Sequence, residues 1–124
     1  MKNSSEKFSI KKRIASFRYA YEGLRFFIAT EHNARIHLAA TIAVIVFGLC
    51  YKISKMQWIV VCVVVALVFA MEMVNTAIEK LCDFVAPEKH EIIKQIKDIS
   101  AAAVLISAVA ALITALIIFL PKMI

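Results

Sequence analysis

Glu72, Asn75, Glu79 and Asp83 follow one another at intervals of three, four and four residues inside an otherwise apolar run. A helix turns about 100° per residue, so this spacing gathers them on one face, and the seven residues from Glu72 to Glu79 climb roughly 10 Å. A charge near the middle of a bilayer costs at least about 2.5 kcal/mol, so Glu72 must be paired, metal-bound, protonated or turned to water. Two carboxylates two turns apart suit separate tasks. One binds a hard cation through oxygen, and the other, desolvated, takes a proton. The competing reading is that Glu72 and Asn75 only make interhelical hydrogen bonds while Glu79 and Asp83 reach solvent.

Other groups are expected at the same depth. Glu31, just before the first apolar run, is placed level with Glu79, and the two could share one magnesium ion, which takes a few carboxylates together with phosphate oxygens and water. Lys97 and Asp98 precede the last apolar run; the lysine suits phosphate oxygens as a point charge, or else serves as a snorkelling anchor. Gly23 and Gly48, the only glycines, sit in neither a GxxxxGK[ST] nor a GxGxxG context, so a nucleotide would bind without either common loop. No Cys/His zinc spacing and no Ser/His/Asp arrangement stands out.

The elements that must position these residues are membrane helices. Of 124 residues 62% are hydrophobic, more than a soluble domain of this length could hide. The excess lies in Ile36 to Tyr51, in Met56 to Ile78 interrupted at Glu72, and in the uncharged Ile99 to Leu120. A bilayer core needs roughly 20 helical residues, so three spans are expected, over about residues 33–52, 56–82 and 97–120 of a single 1–124 domain. Before them, Ile10, Ile14, Phe17, Tyr21, Leu24 and Ile28 form one stripe, with Lys11, Lys12, Arg18, Glu22 and Arg25 on other faces. This predicts an amphipathic surface helix over about residues 8–30. The fold class is all-α.

Met1 to Arg35 is polar and basic rather than a signal peptide, so the spans themselves are expected to carry the targeting. Eight lysines and arginines lie in residues 1–35 and four in Lys80 to Lys97, against only Lys52, Lys55 and Lys122 elsewhere. The positive-inside rule then places the amino terminus and the Asp83 to Asp98 connection, read as a charged turn, in the cytoplasm. The net charge of +6 flanks the spans and lacks a nucleic-acid reading motif, so lipid headgroups or a nucleotide are expected partners, not nucleic acid. Trp58 suits the outer interfacial belt. Cys50, Cys62 and Cys82 read as small buried hydrophobes. Ala101, Ala102, Ala103, Ser107, Ala108, Ala110, Ala111 and Ala115 allow close helix approach, and three short spans enclose little volume, so a homo-oligomer with sites between copies is expected.

The run Glu72-Met73-Val74-Asn75-Thr76-Ala77-Ile78-Glu79, with Asp83, His90 and a following Lys97-Asp98-Ile99-Ser100-Ala101-Ala102-Ala103-Val104-Leu105, resembles the prokaryotic diacylglycerol kinase family, which includes the undecaprenol kinases. Gly23-Leu24, Glu31 and Arg35 extend the likeness toward the amino terminus, so that it covers nearly the whole chain. The resemblance implies a homotrimer in the bacterial inner membrane, with sites shared between subunits at the cytoplasmic interface. It also implies magnesium-dependent transfer of the ATP γ-phosphate to a lipid hydroxyl. By the same resemblance Glu72 is the general base, Asn75 its positioning neighbour, and Glu31 and Glu79 the metal ligands. Lys97 and Asp98 face the polyphosphate, and Glu88 and His90 the nucleoside end. Lys12 and Tyr19 close the nucleotide site, while Ser16, Arg25, Arg35 and Ala101 join Glu72 on the lipid side.

Arg35-Ile36-His37 and the ending Ile117-Ile118-Phe119-Leu120-Pro121-Lys122 look like the undecaprenol-kinase branch. The better-known enterobacterial diacylglycerol kinases carry an acid where His37 stands and a serine where Ala101 stands. The expected acceptor is therefore a polyprenol, with diacylglycerol as the alternative; His37 itself reads as a capped or interfacial histidine. The contrasting functional class is a non-enzymatic module passing cations along Glu72 and Glu79, against which the neighbouring Lys97 and basic helix argue by repulsion.

Overall fold

A computed structural model describes residues 9–124, and everything regular among them is helical. Four helices follow in order: α1, Ile10–Thr30; α2, His32–Tyr51; α3, Lys55–Val85; and α4, Glu91–Met123. The last three are long and apolar enough to cross a membrane. The chain divides into two compact units, the first ending at His32 and the second covering Asn33–Ile124.

In the first unit, the Ser9 side chain caps α1 by accepting a hydrogen bond from the Lys12 backbone N–H, supplying one orphan donor of the first turn with a partner. Ile10, Ile14, Phe17, Tyr21 and Leu24 are exposed along the helix, which leaves an apolar stripe fit to lie in a lipid interface. The helix stops at Glu31, whose backbone is extended and whose N–H still bonds back to the Phe27 carbonyl.

The second unit is built on α3 and α4, which pack along each other. α3 has 31 residues and α4 has 33, against 20 in α2. Ser54 and Gln57 form a reciprocal capping box that starts α3. The link from α2 is only three residues and turns through Lys52 at φ 52°, in the left-handed region. Beside this turn Ile53, Val61, Ile118 and Phe119 are buried together, with Val44, Trp58, Val65 and Ala115 packed around them. Phe47, Tyr51 and Phe119 meet edge-on or tilted, with centroids 6.0 to 6.4 Å apart. Gly48 admits the Trp58 ring so closely that a Cβ there would lie 2.5 Å from Cη2. Trp58 is therefore half-buried and part of the packing around this turn.

Two details differ from the sequence reading. The charged stretch from Asp83 to Asp98 is mostly helix, because the His90 side chain accepts from the Ile92 N–H and starts α4 at Glu91. Cys82 is buried, but Cys50 and Cys62 are exposed on their helices, where a thiol is apolar enough to face lipid. Of the small residues in α4, Ser107 is buried and Ala108, Ala111 and Ala115 are half-buried, whereas Ala101, Ala102, Ala103 and Ala110 are exposed.

Candidate active site

Along α3 the buried positions Val61, Val68, Glu72 and Thr76 recur at helical spacing, so Glu72 lies on the stripe that faces the other helices. It is 5% exposed. Its compensation comes from α2: His37 Nε2 stands 3.1 Å from Glu72 Oε2. With the carboxylate accepting, Nε2 carries the proton. The imidazole sits edge-on to Phe69, centroids 6.3 Å apart, and the His37 carbonyl accepts from the Thr41 hydroxyl. A small crevice of about 90 Å³ opens beside it, lined by His37, Thr41, Phe69 and Ala111 among others.

One turn along, Asn75 Nδ2 approaches Glu79 Oε2 at 3.5 Å, at the edge of hydrogen-bonding range. Asn75 Oδ1 is buried without a hydrogen-bond partner among the described residues, and a buried polar oxygen requires one. A hydroxyl, water or hard cation would satisfy it. Among the described residues no three His, Cys, Asp or Glu side chains converge into a metal cluster. Glu79 and the Asn75 oxygen nevertheless fit magnesium, which prefers oxygen donors and keeps several sites for water and phosphate.

Beyond Glu79 the helix still buries Cys82 but turns its acid outward. Asp83 is well exposed and accepts a hydrogen bond from Lys97 Nζ at 2.6 Å, which joins the end of α3 to the start of α4. Lys94 Nζ donates to Asp98 at 2.8 Å within α4. These four residues line an open cleft of about 510 Å³ together with Pro87, Glu88, Lys89 and His90. Glu88, His90, Lys97 and Asp98, which the sequence assigned to nucleotide, thus share one cavity. Ala101 lies exposed one turn further along α4, and Arg35 is exposed on α2.

The remaining candidates lie in the first unit. Lys12 lines a shallow recess on α1 with Lys11 and Arg18. The Ser16 hydroxyl donates to the Lys12 carbonyl, and the Arg18 guanidinium carbon stands 5.3 Å from the centroid of the exposed Tyr19 ring. Arg25 is exposed, and Glu31 is half-exposed at the break after α1. The residue whose contact the sequence reading missed is His37. Two polar side chains thirty-five positions apart announce no contact, although a histidine in an apolar span facing a lone glutamate was a pairing to test.

A family profile described as prokaryotic diacylglycerol kinase matches residues 18–119 of the chain. The chain belongs to that family. It is a multi-pass membrane lipid kinase, which sets aside the non-enzymatic cation module. Undecaprenol kinase of Bacillus subtilis is 32% identical over 123 residues, covering 99% of this chain and 100% of the relative. Diacylglycerol kinase of Synechocystis is 36% identical over 111 residues, covering 89% of this chain but only 63% of its own longer chain. Diacylglycerol kinase of Escherichia coli K12 is 31% identical over 96 residues, covering 77% and 79%. In this kinase the paired Glu72 and the orphan Asn75 oxygen follow one another along α3, whose Asp83 joins the connection and the start of α4 in lining the charged cleft.

Proposed function

We propose that this lipid kinase transfers the γ-phosphate of ATP to a polyprenol hydroxyl, with diacylglycerol as the poorer acceptor, and does so as a homotrimer with its site at the cytoplasmic face. The carrying observation is the order of groups along α3. A buried carboxylate lies within an apolar span, and eleven residues on, roughly 16 Å along the axis, the helix reaches a charged cleft open to solvent. An alcohol that never leaves the bilayer can meet Glu72, while a nucleotide that never enters it can fill the cleft.

In the transfer, the lipid oxygen forms its bond to the γ-phosphorus as the bond to the bridging oxygen breaks, that electron pair leaving with ADP. Glu72 takes the hydroxyl proton, and the Asn75 amide orients the hydroxyl or a phosphate oxygen. Glu79 would hold magnesium in part, and the ion would supply charge neutralisation for the phosphates. Lys97 and His90 act from the cleft, with Asp98 and Glu88 beside them. Glu31, Lys12, Tyr19, Ser16, Arg25 and Arg35 keep the roles that the family resemblance gives them. The small exposed residues Ala101, Ala102, Ala103 and Ala110 suit close contact with a second copy.

The polyprenol preference is supported by the end-to-end likeness to an undecaprenol kinase and by Arg35-Ile36-His37. The test is radiolabel transfer from γ-labelled ATP in defined membranes with undecaprenol and diacylglycerol offered in parallel, with and without magnesium. Faster turnover of undecaprenol that stops on chelation is expected. Labelling of diacylglycerol alone overturns the acceptor, and undiminished transfer in chelator overturns the metal.

A further inference from the structure

Among the described residues the hydrogen bond to Glu72 comes from His37, and nothing in the transfer described above uses it. The geometry points to His37 as the positioning residue that fixes which oxygen of Glu72 acts as base. This inference rests on Glu72 being that base.

The contact is built rather than incidental. Glu72 is 5% exposed and His37 is about a quarter exposed, so water competes little for either. The His37 ring is held on a second side by Phe69, and it sits one turn before Thr41, whose hydroxyl ties back to the His37 carbonyl. A carboxylate can turn about its last torsion, and the Nε2–H contact selects one orientation of it. The Nε2–H donor engages Oε2, so Oε1 is the oxygen presented to an incoming hydroxyl.

Because an orienting contact acts on the reacting geometry, its loss falls on kcat rather than on the KM for either substrate. Three variants in the full chain test this in defined membranes. His37→Leu fills similar space without a donor and is expected to lower kcat about ten- to a hundred-fold while both KM values stay within about two-fold. His37→Gln, whose amide N–H reaches to a similar length, is expected to restore at least half of that loss on a logarithmic scale. Glu72→Gln serves as the reference with the base removed, and His37→Leu added to it is expected to change kcat no further, since a residue acting only through Glu72 has nothing left to act on. Oligomeric state and thermal unfolding in detergent are followed for all. If His37→Leu keeps full kcat while Glu72→Gln is inactive, positioning by His37 is refuted and the base stands. Should Glu72→Gln itself turn over normally, the base reading falls first. Equal losses in the Leu and Gln variants, with a lowered unfolding temperature in both, make His37 packing only and overturn the inference.

Discussion

Replacing Glu72 by glutamine separates chemistry from architecture with little disturbance to either helix. The amide has nearly the carboxylate's volume, and its oxygen can still accept from His37 Nε2 across the present 3.1 Å, so the α2–α3 contact has no reason to open. Exchanging a charge for a neutral group at a 5% exposed position lowers the cost of burial, so the variant is expected to unfold at no lower a temperature than the parent. What disappears is the proton acceptor. General-base catalysis contributes about 10²- to 10⁴-fold, equivalent to roughly 3 to 5 kcal/mol of barrier, and that is the expected fall in kcat. The groups assigned to the nucleoside end and the polyphosphate line the cleft, which meets α3 eleven residues further on at Asp83, so the ATP KM is expected to hold within about two-fold. Single-turnover transfer from labelled ATP to lipid in bilayers, beside nucleotide binding measured on the same preparation, reads both quantities. A kcat within ten-fold of the parent would refute the assignment of Glu72, and a lost nucleotide affinity would refute the separation of base and cleft.

Glu79→Gln is expected to raise the magnesium concentration needed for half-maximal transfer by at least about ten-fold, read from a metal titration at saturating ATP; an unchanged titration removes Glu79 from the metal. His90→Ala removes the cap of α4 and is expected to cost about 1 kcal/mol of local stability, seen as faster hydrogen exchange over the first turn after Glu91, whereas His90→Ser keeps a capping oxygen and the protection. Failure of serine to protect would mean that the cap does not hold the turn. Gly48→Ala drives a Cβ to 2.5 Å from Trp58 Cη2 and is expected to destabilise the fold by about 1 to 3 kcal/mol in a detergent unfolding series, with partial recovery when Trp58→Phe is added. No loss would show that the ring can move aside.

The helices were legible because their apolar runs exceed what water tolerates and because the stripe from Ile10 to Ile28 keeps a helical period. The ladder from Glu72 to Asp83 was legible for the same reason: polar groups at helical spacing in an apolar span stand out against their background. Pairings between helices were not. His37 with Glu72 and Asp83 with Lys97 depend on the relative rotation and height of separate helices, which local periodicity leaves open. The start of α4 was missed because His90 was read for ligand chemistry, and a histidine nitrogen accepting from a backbone N–H two residues on is a less common cap than Ser or Asp. Cys82 is buried as expected, whereas Cys50 and Cys62 are exposed, because in lipid outward-facing positions are as apolar as inward ones.

At 31 and 33 residues, α3 and α4 extend roughly 46 and 50 Å, whereas the hydrocarbon layer is about 30 Å thick. Asp83, Lys94 and Lys97 lie together at one end of this pair of rods, which is where the surplus length is expected to leave the hydrocarbon. The depth of the base beneath the headgroups is then set by how the membrane fits around the rods. A thicker or thinner bilayer shifts that level, or tilts the rods to hold it, at a fraction of a kcal/mol per ångström. Chain length in the surrounding phospholipid thereby becomes a ruler against which the enzyme is calibrated, and turnover should pass through a maximum as acyl chains are lengthened.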